Sequence, residues 1–415
     1  MLSLWIFSRA CSILYRKKQN FLKSKENKMD FVKFGIIGIG NMGTGHTNSI
    51  STLANAKLTA VCDINPKAFD RMKPEIRKDV KCFTDAETFF KEADIDAVII
   101  AVPHYSHPDL AIMAMQHGKH LIVEKPIAVH KKEAERMIAE AAKHPELKKS
   151  LMFNQRTLPA HKKIKQLIDG GELGKINRIN WVITDWFRSQ KYYDSGDWRA
   201  SWRGEGGGVL LNQCPHQLDL WQWFFGLPKT VRGVVKFGKY HDIEVEDEVN
   251  VYMEYENGTV GNFIASTGEM PGTNRLEIVA ERGKLTFERG ELLFIRNEIE
   301  TSDFIKNTDK TFGISDNWKC EIPFYGDINQ HRNVIENVAN AILKDTPLIA
   351  PMEEGIRGLE LGNSMLLAGL KDKVVTLPMD SDEYAAELEK LIATSRYQKK
   401  TVATAASAED MAKSF

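Results

Sequence analysis

A glycine-rich turn between an apolar run and a helical pattern constrains the fold more than any other feature. The pattern GxGxxG at residues 38–43 follows the apolar run Phe34–Ile37, and Asp63 stands twenty residues beyond its last glycine. The first glycine permits a tight strand-to-helix turn, the second lets backbone approach a pyrophosphate, and the third lets helix and strand pack closely. The run Leu58–Cys62 predicts a second strand ending at Asp63. Together these features predict a dinucleotide-binding unit, with an ordinary glycine-rich turn as the alternative.

The same residues indicate which dinucleotide binds. A carboxylate at the end of the second strand accepts hydrogen bonds from ribose hydroxyls and repels a 2′-phosphate, so NAD is expected and NADP is disfavoured. The pyrophosphate is expected at the N-terminus of the helix, where backbone N–H groups lack partners. The predicted contacts within this unit are Gly38, Gly40, Asn41, Met42, Gly43 and Asp63.

The pattern of apolar residues divides the chain into two domains, as a length of 415 residues favours. From residue 29 to 150, short apolar runs alternate with helical segments such as Pro66–Lys78, which predicts an α/β domain with a doubly wound parallel sheet. Longer alternating strands follow in residues 151–395, and Asn257-Gly258 marks a hairpin. This part predicts an α+β domain with one open sheet whose exposed face favours self-association, before a flexible tail at 396–415. The strands predicted for the first domain are Lys33–Ile37, Lys57–Cys62, Ala97–Val102, His120–Val123 and Leu151–Phe153.

Composition excludes several classes of partner and site. Acidic and basic residues number 56 each, so no uniform field attracts nucleic acid or an anionic membrane. The five cysteines are scattered without CxxC spacing, which predicts free thiols in a reducing, cytoplasmic compartment and neither a zinc site nor any other metal site. Residues 1–28 carry an apolar run too short for a signal peptide, and Met29 directly precedes the first predicted strand. We therefore expect them to lie outside the fold, as an upstream start or, alternatively, as a targeting peptide.

The tripeptide Glu124-Lys125-Pro126 is the first candidate for chemistry. It follows the buried strand His120–Val123, whose carboxyl end faces the ligand in a doubly wound sheet. An ammonium group there can hydrogen-bond a substrate oxygen and stabilise negative charge on it, while Glu124 and burial tune its pKa. A solvated surface lysine is the alternative, which this position disfavours.

A second candidate lies in residues 206–219, where three glycines precede a helical pattern. Asn212 and His216 are four residues apart, so one helix carrying both would place them on a shared face, although Pro215 would kink it. A neutral imidazole is a suitable base for a hydroxyl proton near neutral pH. A buried structural histidine is the alternative.

The remaining candidates carry weaker signals. His104 and His107 follow the strand Ala97–Val102 and could line the cofactor cleft, whereas five other histidines are assigned to the surface or to packing. The segment 198–203 could wall a sugar or polyol site through stacking and hydrogen bonding, although tryptophans more often pack in a core. Its candidate residues are Trp198, Arg199, Trp202 and Arg203. The five histidines are His46, His117, His120, His130 and His331.

Over residues 30–378 the chain resembles the glucose-fructose oxidoreductase and inositol dehydrogenase family, Gfo/Idh/MocA. The resemblance rests on these motifs together: GxGxxG from Gly38, Asp63, Pro103 with His107, Glu124-Lys125-Pro126, Asn154-Gln155-Arg156, and Gly206-Gly207-Gly208 leading to His216 and Asp219. It implies that Lys125 and His216 form the catalytic pair. It also implies a mostly antiparallel second domain that binds substrate and builds homodimers or homotetramers. Cofactor contacts beyond the glycine turn are then Pro103, His107, Glu124, Lys125 and Asn154.

The function expected from these features is hydride transfer between NAD and a secondary alcohol of a sugar, glycoside or cyclic polyol. His216 takes the hydroxyl proton and Lys125 holds the oxygen. Asn212 departs from the family, since many polyol-oxidising relatives carry aspartate there, which puts charge-assisted help to the base in doubt. Two alternatives remain open: a redox-neutral, NAD-dependent glycoside-cleaving enzyme, and a non-enzymatic NAD-sensing protein.

Overall fold

The computed structural model describes residues 31–398, and within them two sheets are surrounded by helices. Residues 1–28 and positions 399–415 of the predicted tail lie outside the described residues. The strands are β1 Val32–Ile37, β2 Ala56–Cys62, β3 Lys81–Phe83, β4 Ala97–Ile100, β5 His120–Val123, β6 Lys149–Leu151, β7 Ile176–Ile183, β8 Thr230–Phe237, β9 Glu246–Glu254, β10 Val260–Ser266, β11 Asn274–Ala280, β12 Gly283–Glu288, β13 Glu291–Asn297, β14 Asn317–Glu321 and β15 Val375–Thr376. The α-helices are α1 Asn41–Ser51, α2 Pro74–Arg77, α3 Ala86–Glu92, α4 His107–Gln116, α5 Lys131–Ala141, α6 Pro159–Asp169, α7 Gln190–Asp194, α8 Pro215–Phe225, α9 Thr301–Asn307, α10 Gln330–Lys344, α11 Gly355–Lys371 and α12 Ser381–Thr394.

The first sheet confirms the predicted doubly wound architecture. Its six strands are parallel in the order β3-β2-β1-β4-β5-β6. Helices cover both faces of such a sheet, so its central strand β4 is apolar and every residue of β4 is buried. The order of the strands changes direction beside β1, so the loops after β1, β4 and β5 meet at one crevice.

Three local predictions in this domain were wrong. The predicted helix Pro66–Lys78 is a 3₁₀ helix at Pro66–Arg71 followed by the short helix α2, because Pro74 has no N–H with which to continue a helix. Strand β3 was missed because three residues are too few to show a periodicity. The sixth strand, expected at Leu151–Phe153, ends at Leu151.

The second sheet confirms the open, mostly antiparallel arrangement. Its nine strands run in the order β14-β13-β12-β11-β7-β10-β9-β8-β15, and β7 with β10 is the parallel pair. The turn at Asn257-Gly258 joins β9 to β10 as predicted, and Gly258 has the φ of +85° that such a turn needs. Buried and exposed residues alternate along β9, where Val251 faces the core and Tyr252 faces solvent.

Helix α10 joins the two halves of the chain. It follows the second sheet in sequence, yet its residues Val334, Ile335 and Val338 share a hydrophobic cluster with Val32 and Phe34 of β1. It therefore packs on the first sheet and returns the chain to the crevice. The domain boundary near residue 150 stays a prediction. None of the helices among the described residues is long and apolar enough to cross a membrane.

Candidate active site

The turn between β1 and α1 is shaped as a dinucleotide requires. A Cβ atom on Gly38, where φ is +91°, would lie 2.4 Å from the carbonyl oxygen of Ala101, and one on Gly43 would lie 1.8 Å from that of Gly38. A Cβ on Gly40 would meet nothing within 4 Å. A side chain at the first or third glycine would therefore clash with the protein's own backbone. At the second glycine the backbone is open, so a ligand can approach it closely. None of the side chains in residues 31–398 caps α1, so its N-terminal N–H groups are available to a pyrophosphate.

Asp63 is held against this turn. Its Oδ2 accepts a hydrogen bond from the backbone N–H of Ile39 at 2.7 Å, and its Oδ1 accepts one from Asn65 at 2.8 Å. A carboxylate has about four lone-pair positions, so two remain for ribose hydroxyls. The turn and Asp63 together fit NAD, which is the cofactor that the sequence predicts.

Lys125 emerges from the end of β5 and reaches across to the second domain. Its Nζ donates a hydrogen bond to the backbone carbonyl oxygen of Asn212 at 2.8 Å. Desolvation lowers the pKa of Lys125 to about 8, so its ammonium group can exchange a proton close to neutral pH. The charged side chains that act on this ammonium group are Glu124, Arg199, Arg188 and Glu205.

Glu124 lies beneath this lysine in a buried polar cluster. Its Oε1 is 2.7 Å from Nε2 of His46, and its Oε2 accepts from the backbone N–H of Lys125 at 3.2 Å. Burial alone would raise its pKa, but the hydrogen bond from His46 and the nearby positive charge lower the pKa of Glu124 to about 2. This carboxylate therefore remains ionised and supports the Lys125 loop.

Two histidines assigned to the surface or to packing belong to the same cluster. The rings of His46 and His331 have centroids 5.7 Å apart, and Nδ2 of Asn154 lies 3.1 Å from Nε2 of His331. The spacing of His46, one helical turn after Gly43, is a signal that could have placed it on the crevice side of α1. His331 lies on α10, far away in sequence, and carried no such signal. The structure brings Asn154, a predicted cofactor contact, to this cluster.

His216 is buried near Lys125, but the helix that carries it differs from the prediction. Helix α8 begins at Pro215, so Asn212 lies before it and the two residues do not share a helical face. Proline suits the first helical position because its missing N–H would have no partner there. Burial and the charge of Lys125 hold the pKa of His216 well below 6.5, and its buried Nδ1 has no hydrogen-bond partner among the described residues. The imidazole is therefore neutral and able to accept a proton.

Residues of the segment 198–203 divide between the site and the core. The guanidinium of Arg199 lies 4.3 Å from the ring centre of Trp198, and that ring meets His104 edge-on at 5.2 Å. Trp202 is instead 4% exposed and packs against Phe237, so its proposed contact with substrate is not supported. Arg203 is exposed and makes none of the hydrogen bonds or ion pairs found among the described residues.

Other predicted residues have structural partners. Both ring nitrogens of His107 lie against backbone carbonyl oxygens, those of Pro126 at 2.7 Å and Val102 at 2.8 Å, so the ring ties two crevice loops together rather than offering a nitrogen to the cofactor. Pro103 begins the short 3₁₀ turn that precedes α4. In the motif pair Arg156 and Asp219, two hydrogen bonds of 2.8 and 2.6 Å join side chains that are each 1% exposed. These motif residues hold α8 in place.

Sequence reasoning missed three residues that surround the site, which are Tyr192, Arg188 and Glu205. Asn212 donates from its side chain to Glu205, and Tyr192 receives a hydrogen bond from Arg199 at 2.9 Å. The guanidinium of Arg188 lies 5.0 Å from the same tyrosine ring. His104, which the sequence predicts as a residue lining the cleft, is buried beside Trp198. Tyr192 and Arg188 come from the loop and short helix after β7, which the sequence analysis left without an element. These two side chains reach the site only through packing between elements that are distant in the sequence.

Two family models match the chain. The one described as the oxidoreductase family with an NAD-binding Rossmann fold matches residues 32–149. The one described as the GFO/IDH/MocA C-terminal domain matches residues 161–286. The first match includes the glycine turn and Lys125, and the second includes Asn212 and His216.

Curated relatives are named as dehydrogenases and as glycosidases. Myo-inositol 2-dehydrogenase of Thermotoga maritima is 24% identical over 262 residues, covering 61% of this chain and 74% of that protein. The scyllo-inositol 2-dehydrogenase (NAD(+)) of Bacillus subtilis is 26% identical over 263 residues, covering 61% and 73%. A glycosyl hydrolase family 109 protein of a Shewanella species is 27% identical over 198 residues, covering 44% of this chain and 42% of that protein.

Solved structures share the fold. Levoglucosan dehydrogenase in complex with NADH and levoglucosan has a TM-score of 0.70 at 20% identity, covering 84% of this chain and 100% of that one. The WlbA dehydrogenase from Bordetella pertussis, in complex with NADH and UDP-GlcNAcA, has a TM-score of 0.70 at 24% identity with the same coverage.

Proposed function

Because the chain belongs to the Gfo/Idh/MocA family of oxidoreductases, we propose that it is an NAD-dependent dehydrogenase acting on a secondary alcohol of a sugar, glycoside or cyclic polyol. The observation that carries this proposal is that Lys125, at the carboxyl end of β5, bonds the carbonyl oxygen of Asn212, four residues before a buried, neutral His216 on which its charge acts. A cation next to a neutral base is what the removal of a hydride and a proton from an alcohol requires.

The residues divide the work as follows. The nicotinamide of bound NAD supplies the hydride acceptor. The neutral imidazole of His216 accepts the hydroxyl proton, and the ammonium of Lys125 donates a hydrogen bond to the substrate oxygen as negative charge develops there. The glycine turn and Asp63 would hold the dinucleotide, whose nicotinamide would supply hydride chemistry to a substrate bound by Lys125 and His216.

Three further side chains would bind the sugar. Trp198 offers a ring edge and face beside His104, and Arg199 can donate hydrogen bonds from the edge of a guanidinium stacked on that ring. Asn212 stands between Lys125 and Glu205. The named substrates of the relatives, inositols and levoglucosan, support a polyhydroxylated ring as substrate.

The proposal is tested by incubating the purified protein with NAD and a panel of sugars, inositols and glycosides while NADH absorbance is recorded. Turnover of at least one compound, abolished in the Lys125→Met variant, is the expected result. Absence of NADH formation across the panel, from protein that binds NADH, would contradict a dehydrogenase.

The glycosyl hydrolase family 109 relatives favour a second candidate, an NAD-dependent enzyme that cleaves glycosides by transient oxidation. Oxidation at a ring carbon makes the neighbouring C–H acidic and permits elimination of the aglycone. The two candidates differ in stoichiometry. A dehydrogenase accumulates one NADH per substrate consumed, whereas the redox-neutral enzyme releases aglycone without net NADH.

We also propose that the protein is a homodimer or homotetramer assembled through the open face of the second sheet. Val234 and Tyr252 on that face are 57% and 41% exposed. Light scattering should show an oligomer for the parent and a smaller species for Tyr252→Glu, because the added charge weakens the interface.

A cytoplasmic location is supported by the four described cysteines, all free thiols.

A further inference from the structure

We propose that Glu205 is a positioning residue of the candidate site, whose carboxylate holds the Asn212 side chain and supplies negative charge next to Lys125. The inference rests on the proposed function, in which the Lys125 ammonium stabilises the substrate oxygen. Nothing in the sequence marked Glu205, which precedes the three glycines.

The surroundings of Glu205 show a carboxylate fixed at both oxygens. The residue is 2% exposed, its Oε1 accepts from the side-chain amide of Asn212, and its Oε2 accepts from the backbone N–H of Ala200 at 2.7 Å. Ala200 has a φ of +63°, a left-handed conformation that costs a non-glycine residue free energy. The hydrogen bond to Glu205 helps to hold this turn, so the carboxylate has a single orientation.

Asn212 connects this carboxylate to Lys125. Its side chain donates to Glu205, and its backbone carbonyl oxygen accepts from Nζ of Lys125 at 2.8 Å. The backbone N–H of Asn212 donates to the carbonyl oxygen of Gly208 at 2.9 Å, so the side-chain contact with Glu205 is the second anchor of the residue that orients the ammonium group. Without the contact to Glu205, the side chain of Asn212 could rotate. The backbone carbonyl of Asn212 would then shift, and Nζ of Lys125 would shift with it.

The charge of Glu205 acts on the same ammonium group. Desolvation and the guanidinium groups of Arg199 and Arg188 lower the pKa of Lys125, while the carboxylates of Glu124 and Glu205 raise it. Arg199 also lies 4.0 Å from Oε1 of Glu205. Removing the Glu205 charge therefore leaves the ammonium facing two guanidinium groups with Glu124 as the opposing carboxylate. The charged form of Lys125 should then lose its proton at lower pH. The other groups that face Glu205 are His104, Tyr193 and Glu246.

The test measures the titration of Lys125 directly. The full-length protein is labelled with trace acetic anhydride at a series of pH values, and acetylation of Lys125 is quantified by mass spectrometry. The parent should show a midpoint near pH 8, the pKa to which Lys125 is lowered. Glu205→Gln keeps the shape but removes the charge, so its midpoint should fall by about 1 pH unit.

Two further variants distinguish the loss of the Glu205 charge from a disturbance of the local structure. The exchanged pair Glu205→Gln with Asn212→Asp keeps one carboxylate and one amide in contact, so its midpoint should return towards the parental value. Glu244→Gln is the matched control, because Glu244 accepts from the backbone N–H of Trp202 at 2.8 Å on the same segment and is not among the main charges that act on Lys125. Its midpoint should equal that of the parent. Should Glu205→Gln fail to fold, the exchanged pair carries the test alone.

The labelling needs neither substrate nor turnover, so it can fail separately from the proposed function. An unchanged Lys125 midpoint in Glu205→Gln, or a lowered midpoint in the exchanged pair, overturns the role of Glu205 even in an active dehydrogenase. In an active enzyme, the basic limb of the log kcat profile should move with the labelling midpoint. A purely structural residue would lower activity at all pH values alike.

Discussion

Nε2 of His46 lies 2.7 Å from Oε1 of Glu124, and both side chains are buried. His46 belongs to α1, the helix that follows the glycine turn, and Glu124 precedes Lys125. This contact therefore joins the segment predicted to hold the dinucleotide to the segment that carries the proposed catalytic lysine. The contact is shielded from solvent, since His46 is 1% and Glu124 is 6% exposed.

Replacing His46 with alanine should destabilise the protein by about 2–3 kcal/mol, because Oε1 of a buried carboxylate loses its hydrogen-bond partner while Oε2 keeps the N–H of Lys125. Urea unfolding measures the effect. The control is His144→Ala, which removes a more exposed contact of 3.3 Å with Glu140 and should cost at most about 1 kcal/mol. Equal decreases in the free energy of unfolding of the two variants would show that the buried contact of His46 stabilises the protein no more than the exposed contact of His144.

Stability should fall in acid partly through Glu124. Its pKa is lowered from 4.5 to about 2 in the folded protein, so it binds a proton more readily when unfolded. The stability it contributes is complete above about pH 4.5 and is lost as pH falls towards about 2. Unfolding free energies at about pH 5 and about pH 3 should therefore differ less in Glu124→Gln than in the parent. An identical difference would contradict a depressed pKa.

His216→Ala should lower kcat for alcohol oxidation by roughly 10²–10⁴-fold, the usual contribution of a positioned base. Burial keeps the imidazole of the parent neutral to well below pH 6.5, so its acid limb should lie below that pH. Steady-state rates across pH check both points. NADH affinity should be unchanged, and a limb that persists in the variant would assign the base elsewhere, with His104 next to be tested.

Lys125→Met should abolish most activity while leaving NADH binding close to the parental value. The ammonium form is required and its pKa is about 8, so the parental rate should decline as pH rises through that value. Fluorescence titration with NADH separates binding from chemistry. Lys132→Met, which replaces an exposed lysine paired with Asp382, is the control and should leave kcat unaltered. Parental activity in Lys125→Met would refute the assignment.

Asp63→Ser should reduce kcat/KM for NAD by at least about tenfold, because a hydrogen bond to a charged group contributes ~1.5–3 kcal/mol. The parent should favour NAD over NADP, since the carboxylate repels a 2′-phosphate. Parallel kinetics with the two cofactors check the ratio. Equal use of both cofactors by the parent would mean that Asp63 serves only its contacts with Ile39 and Asn65.

Much of the fold could be predicted because its signals are local. Periodic apolar residues and the glycine turn identified β1, β2 and the doubly wound sheet. Strands β13 and β14 were missed, although β13 is seven residues long. Strand β14 lies at the edge of the sheet with mainly exposed residues, so it lacks the alternation by which a strand is predicted.

The sequence by itself determined the residues whose chemistry follows from their neighbours in the chain. Lys125 follows a buried strand, Asp63 ends one, and the glycines of residues 38–43 shape a turn, so each role could be derived within a few residues. It also determined that the site lies beside the carboxyl ends of parallel strands, because that edge is set by the direction of the chain.

Only the tertiary structure decided which distant side chains meet there. His331 reaches Asn154 because α10 packs back on the first sheet, and Glu205 reaches Asn212 because a left-handed turn at Ala200 folds the segment inward. The same packing buries Trp202 in the core. Such contacts depend on the relative position of whole elements, which results from the summed burial of many apolar residues and leaves no local pattern in the sequence.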